Sequence, residues 1–421
     1  MFGSFQQALK GGDLRNKLLF TLGMLLVFRL GAHIPVPGIN ADVFAKLLTN
    51  QLFGFYDIIS GGAFKRFSIF AMSITPYINA SIIMQLLTVV IPKLEQLQKE
   101  GEEGRKKITQ YVRYGTVILG FIQAIGMAIA MGRYPGVLHK PGIGAYLIIA
   151  ISLTAGTALL MWIGEMITEK GIGNGISLII FAGIVARIPS GLNTMVELLK
   201  AGTIGFFNIL SFVVIALVII SALVAVNEGQ RRIPIQYAKR VVGRRVYGGQ
   251  STFLPLRVNM GGVIPIIFGM SIMMFPATIA SWFPKSGVST FINTYFHFGT
   301  VLYNILYALL IFFFTYFYVA IIFNPADVAD NIKKYGGFIP GIRPGRPTAD
   351  YIDRVLSRLT FAGGIFLAFI AILPNFVIKV TGITSLYFGG TALLIVVGVA
   401  LDTMKQLEAH LLLRSYEGFV K

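Results

Sequence analysis

The side chains best suited to chemistry lie outside the apolar stretches of this 421-residue chain. Its carboxylates, from Asp13, Asp42 and Asp57 through Glu165 and Glu228 to Asp402 and Glu417, fall in polar loops or at the ends of apolar runs. Carriers driven by protons or sodium usually need an ionisable group near mid-membrane. None is present here, which counts strongly against a proton relay. His33, His139, His297 and His410 are scattered, with no HExxH pattern and no paired ligand spacing, so no metal site is expected. With no Cys, thiol catalysis and disulfides are excluded. No P-loop pattern occurs, so nucleotide hydrolysis by that route is excluded too. The expectation is a chain with no cofactor and no catalytic residue, not an enzyme, whose energy comes from a partner or a gradient.

The polar groups left inside apolar runs are uncharged. Asn79 and Gln85 share one run, and Gln123 lies in the next. Amides between membrane helices hydrogen-bond at about 0.6 kcal/mol on average, so a seam held by them can open without leaving a charge in lipid. Ordinary interhelical packing is the commoner explanation for each of them. Ile74 and Ile78 are four residues apart and share a helix face, as do Ile176 and Ile180. Apolar constrictions can close a pore by excluding water. On spacing alone, lipid-facing or core isoleucines are the better reading. At Gly171-Ile172-Gly173-Asn174, Asn stands where an intramembrane aspartyl protease would need Asp.

The elements that hold these residues are membrane spans. The chain is 55% hydrophobic and 13% charged, with a mean hydropathy of +0.74. Soluble domains carry about 25% charged residues. Ten apolar runs are long enough to cross, near 18–34, 69–91, 114–131, 145–164, 173–189, 206–226, 260–283, 301–323, 359–376 and 386–401. No cleavable leader is expected, since polar residues 1–17 precede a full span. Residues 53–91 are too long for one span: as a helix they would reach about 58 Å, against a hydrocarbon core of about 30 Å. Ser60-Gly61-Gly62, Lys65-Arg66 and Pro76 break that stretch, which predicts a short re-entrant piece near 55–66 and a bend at Pro76. A re-entrant piece survives only beside protein or water, so a cavity is implied.

Threading the ten runs puts 26 of the 36 Lys and Arg residues on one side and nine on the other, with Arg29 late in the first run and able to snorkel. The asymmetry places both termini in the cytoplasm. Five runs plus five predict inverted halves, 1–189 and 206–401, joined by an external loop at 190–205 and followed by a tail at 402–421. Pro76 in one half, and Pro265 and Pro276 in the other, interrupt matching runs and point to the transport site, although Pro and Gly are common in membrane helices anyway. The loops 227–257 and 324–358 are long, and they mix Arg with Gly, Pro and aromatics. They suit docking to an acidic surface, beyond what orientation requires.

Ser60-Gly61-Gly62-Ala63, Ser68-Ile69-Phe70-Ala71, Thr75-Pro76-Tyr77-Ile78, Gly171-Ile172-Gly173-Asn174-Gly175-Ile176-Ser177, Gly229-Gln230-Arg231-Arg232-Ile233, Phe338-Ile339-Pro340-Gly341-Ile342-Arg343-Pro344-Gly345 and Tyr387-Phe388-Gly389-Gly390-Thr391 follow in that order. Together they resemble the SecY family of bacterial protein-conducting channels over nearly the whole chain. The resemblance implies an all-α polytopic fold of ten transmembrane helices in two inverted halves around a central pore. It implies a pore ring of Ile74, Ile78, Ile176, Ile180, Ile267 and Ile395. It implies a plug helix with Tyr56, Asp57, Ile58, Ile59, Ser60, Gly61, Gly62, Ala63 and Phe64. A lateral gate would include Pro76, Asn79, Gln85, Gln123, Pro265, Phe275 and Pro276. Arg231, Arg232, Lys239, Arg240, Arg343 and Arg346 would dock the SecA motor ATPase and the ribosome, with Arg343 foremost. The partners implied are SecE and SecG, signal sequences and translocating polypeptides, with anionic lipids around them in a bacterial plasma membrane. The competing reading is a secondary transporter for a small solute, which the missing mid-membrane carboxylates and the long basic loops disfavour.

Overall fold

A computed structural model describes residues 12–41, 43–44, 57, 60–237, 240–242, 245–247, 251–282, 286–296, 300–381 and 390–420. Its helices are α1 (Gly12–Gly31), α2 (Thr75–Val90), α3 (Pro92–Lys99), α4 (Glu102–Gly132), α5 (Ile143–Lys170), α6 (Gly175–Val185), α7 (Ile188–Lys200), α8 (Phe206–Glu228), α9 (Ile264–Trp282), α10 (Gly287–Tyr295), α11 (Val301–Ile322), α12 (Pro325–Lys334), α13 (Arg346–Thr381) and α14 (Gly390–Val420). Each of the ten predicted runs overlaps one of these helices. Among the described residues, six helical stretches are long and apolar enough to cross a membrane alone. They contain α4, α5, α6 with α7, α8, α11 with α12, and α13. A seventh would be α2 with α3, which meet at a bend of 100°. Pro92 makes that bend: it holds Ile91 in extended backbone and so ends α2. α1 falls short because Asp13, Arg15, Lys17 and Arg29 interrupt its apolarity.

In the first half, α4 packs on both α2 and α5, and α5 packs on α1 and α6. In the second, α11 packs on α9 and α13, while α14 packs on α8 and α13. The halves meet where α9 lies against α2 and α4, and where α14 lies against α6. Large apolar side chains such as Leu22, Leu26, Ile118, Ile122, Phe207, Val218, Leu309 and Phe313 remain exposed on the outside. That surface is stable only against lipid. α8 is the extreme case, with Ile219 and Leu223 as its buried residues.

Two findings depart from the sequence expectation. First, the fold is not purely helical. β1 (Gln230–Tyr237) pairs antiparallel with β4 (Ser251–Arg257) along its length and with β5 (Gly337–Phe338) at Gln236 and Tyr237. A separate hairpin joins β2 (Arg240–Val242) to β3 (Arg245–Tyr247). Ile233 and Ile235 alternate with exposed residues along β1 and are buried with Leu256, Ile332, Ile339 and Ile352. Second, Pro76 is no mid-helix hinge. It occupies the first turn of α2, where its missing N–H costs nothing. The interruption lies upstream, in consecutive turns over residues 60–74. Gly61 and Gly62 adopt positive φ there, as does Ser73, a strained choice for a residue with a Cβ. Pro276, by contrast, does lie inside α9.

Candidate functional site

Ile74 caps the N-terminus of α2, and Ile78 follows one turn later. Ile176 and Ile180 lie on α6, Ile267 on α9 and Ile395 on α14. Four helices from both halves thus bring these residues into one apolar cluster. Ile74, Ile78, Ile180, Ile267 and Ile395 are buried in it, and Ile176 packs against it half-buried. Phe28, Ala63 and Phe70 belong to the same cluster, with the Phe28 and Phe70 rings stacked.

The segment carrying Asp57 and 60–64 abuts this cluster and is held by directional contacts. Asp57 is 5% exposed and is the one charged side chain buried among the described residues. Its Oδ2 pairs with Arg187 Nη2 at 3.1 Å, and its Oδ1 accepts from the Lys65 backbone N–H at 2.8 Å. The Ser60 hydroxyl donates to the Asp57 carbonyl at 3.2 Å and accepts from the Phe64 N–H at 3.0 Å. From α1, Arg29 donates through Nη1 to the Gly61 carbonyl at 2.9 Å. Arg29 therefore does not snorkel outward; a buried carbonyl takes its charge inward. Gly61 also sits so close to α6 that a Cβ there would come within 2.8 Å of the Gly183 Cα. Phe64 and Phe67 flank Phe44 edge-on, with ring centres 5.6 and 4.9 Å away. Tyr56, Ile58 and Ile59 lie outside the described residues. Of those that are described, Asp57 is helical and 60–64 run through turns.

Arg29 and Arg187 had no expected role in holding this segment. The available signal was topological. On the side opposite the basic loops, the threading leaves only Asp42, Asp57 and Glu197 to meet nine cations. An ion pair to Asp57 was therefore to be sought there.

At the seam between halves, Asn79 and Pro265 are buried, while Gln85, Gln123, Phe275 and Pro276 are half-buried. Pro76 faces Gly120 of α4 across ordinary contact distance. Gln85 donates to Ser81 Oγ at 3.3 Å. The side-chain oxygens of Asn79 and Gln85 are buried with no hydrogen-bond partner among the described residues. Each such acceptor costs about 1–3 kcal/mol.

The two basic loops are joined rather than independent. β1 carries Arg231 and Arg232 exposed, and β5 ties the second loop to its far end. Arg343 and Arg346 are exposed, and the Arg343 carbonyl accepts from Thr348 Oγ1 at 2.8 Å. Arg240 lies in β2, whereas Lys239 lies outside the described residues, as do 387–389 of the last motif.

Fold and site define a multi-pass helical membrane protein built around an apolar closure. A SecY family profile matches residues 68–404. The protein translocase subunit SecY of Halalkalibacterium halodurans is 52% identical over 430 residues, covering 100% of both chains. That of Escherichia coli K12 is 50% identical over 428 residues, covering 99% of this chain and 96% of the relative. Among solved structures, a SecY whose plug domain is described as stabilising the closed translocation channel superposes with a TM-score of 0.68 at 20% identity, covering 94% and 92% of the two chains. Sec61 from a canine ribosome-channel complex superposes at 0.64 and 19%, with the same coverage. The chain belongs to the SecY family and is a protein-conducting channel subunit of the Sec translocase.

Proposed function

We propose that this channel passes unfolded secretory polypeptides across a bacterial plasma membrane and releases apolar segments sideways into lipid. In this reading Ile74, Ile78, Ile176, Ile180, Ile267 and Ile395 form the seal, and the Asp57–Phe64 region is the plug. The carrying observation is that these six isoleucines, from four helices, lie in or against one apolar cluster beside a tethered segment. A translocating chain has any sequence, so its channel must grip none. Apolar side chains exclude water and ions while offering little chemical preference.

The seam where α9 meets α2 and α4 serves as the lateral gate. Unpaired oxygens on Asn79 and Gln85 support that role, because a closed state carrying unsatisfied acceptors gives up less on opening. The sheet joining the basic loops is the dock for a SecA-type motor and for the ribosome. SecE and SecG complete the complex, and both termini of the chain face the cytoplasm. Two halves, 1–189 and 206–401, rock about the connection that contains α7.

Vesicles holding the purified complex test this reading. ATP-dependent transit of a polypeptide after adding the motor supports it, whereas motor-independent uptake of a small solute contradicts it. Arg343→Glu is expected to lower motor-driven transit at least tenfold while the complex still assembles. Normal transit by that variant would remove Arg343 from the dock.

A further inference from the structure

Between α5 and α6 the chain turns in four residues, Gly171-Ile172-Gly173-Asn174, and side chains from three helices hold that turn. The Ile172 N–H donates to Thr21 Oγ1 of α1 at 3.1 Å. The N–H of Gly175, the first residue of α6, donates to Thr168 Oγ1 of α5 at 2.9 Å. The Gly173 N–H donates to Gln406 Oε1 of α14 at 2.9 Å. α1 and α5 belong to the same half as the loop, whereas α14 belongs to the other. Gly173 has a φ of +88°, and a Cβ there would lie 3.1 Å from Thr403 Oγ1, so α14 lies directly against the turn.

An apolar contact reinforces the bond between halves. Ile172 is buried with Leu14 of α1, and Leu18 of α1 packs against them together with Leu407 and Leu411 of α14. At the same level α14 is tied to its own half, with Lys405 Nζ 2.7 Å from Glu228 Oε1 at the end of α8. Two adjacent residues of α14, Lys405 and Gln406, thus bind one half each.

The two zones where the halves meet differ in kind. At the seam, α9 lies against α2 and α4, and the side-chain oxygens of Asn79 and Gln85 have no partner among the described residues. Where α14 meets α6, the turn has a side-chain acceptor for each of three backbone N–H groups, one of them supplied by the opposite half. Directional bonds suit a boundary that turns without parting, because they hold one geometry. Rotation of one rigid body against another also needs two fixed points to define its axis. The chain connection that contains α7 supplies one, beyond the last residue of α6, and the 171–174 loop lies at the first.

We propose that the 171–174 loop and Gln406 form a second pivot between the halves, and that Gln406 is the positioning residue that keeps α14 on the axis while the seam opens. The proposal rests on the channel reading, in which the halves rock about the connection containing α7. The axis then follows α6 from the loop to that connection. Ile176, Ile180 and Ile395 lie on the two helices that meet at the axis, α6 and α14, whereas Ile74, Ile78 and Ile267 lie on the seam helices α2 and α9. Rotation therefore displaces the second set most, and the ring widens toward the seam.

The test uses vesicles with the complete complex and motor, and reads the rate of polypeptide transit. Gln406→Ala should slow transit about fivefold, the factor that loss of one acceptor from a buried N–H supplies. The motor concentration giving half the maximal rate should not change, because the sheet of the basic loops is untouched. Gln406→Glu keeps an acceptor oxygen and should transport at close to the native rate. The chain has no Cys, so introduced thiols are its only ones. Lys170→Cys, exposed at the end of α5, is combined with Gln406→Cys. This pair should be slow when free and recover the native rate when joined by a short linker, because a pivot works when stapled. A joined pair that stays slow, or that stops transit, overturns the proposal, since the loop and α14 would then have to part. Native transit by Gln406→Ala overturns it too, as does a Gln406→Glu rate as low as that of Gln406→Ala. A linker joining α2 to α9 across the seam should stop transit. Transit that survives it would overturn the gate reading itself.

Discussion

Ile74, Ile78, Ile180, Ile267 and Ile395 are held in one apolar cluster, whereas the neighbouring Asp57–Phe64 region is tied down by an ion pair, an Arg29 hydrogen bond and a network of turns. Apolar contact is non-directional and re-forms around whatever shape passes. Charge pairs and hydrogen bonds have one geometry, and they are either made or broken. In the proposed reading the two kinds of contact have distinct tasks: the isoleucine ring conforms, and the segment beside it switches. Charge is suited to the second task because a buried carboxylate without its partner is costly. Gly61 carries no side chain, which lets the segment lie against Gly183 of α6, while the Ser60 hydroxyl ties its turn together.

Substitutions that exchange these two kinds of contact should separate them. The largest effect is expected from Arg187→Glu, which sets a second carboxylate beside buried Asp57. The closed state should lose about 3 kcal/mol, roughly a hundredfold in the closed-to-open ratio. Planar-bilayer recordings should then show a raised resting ion conductance, and an unchanged conductance would remove the switch from this segment. Ile78→Asn places an amide in the apolar ring, costing about 2 kcal/mol. It should raise conductance less, and it should also let through substrates with defective signal sequences. Strict rejection of those substrates would argue that Ile78 lies outside the seal. Ile180→Val removes one methylene, worth about 1 kcal/mol. Its effect should be a small conductance increase with export unchanged; a block of export would mean that the ring grips its substrate.

The helices were legible because their signal is local. Twenty apolar residues in sequence need a span, and the ten runs map onto α1, α2, α4–α6, α8, α9, α11, α13 and α14. The sheet was missed although Ile233 and Ile235 alternate correctly: the stretch is short, rich in Arg and Gly, and carries Pro234 and Pro255, which disfavour central strands. Both are accommodated: β4 is an edge strand, and β5 reaches only the end of β1. Pro76 was misplaced by a few residues, enough to turn a helix start into a supposed hinge. The isoleucines could be paired within α2 and within α6, but only the fold brings α9 and α14 to them. The tether was invisible for the same reason. Asp57 and Arg187 are 130 positions apart, and no local pattern couples them.

The most direct test of the switch is a double-mutant cycle on resting conductance, with Asp57→Asn, Arg187→Gln and both together. If the pair latches the segment shut, each single change opens the channel. The double change then adds little to either, giving a coupling of about 2 kcal/mol. Effects that add to within about 0.3 kcal/mol would contradict the latch.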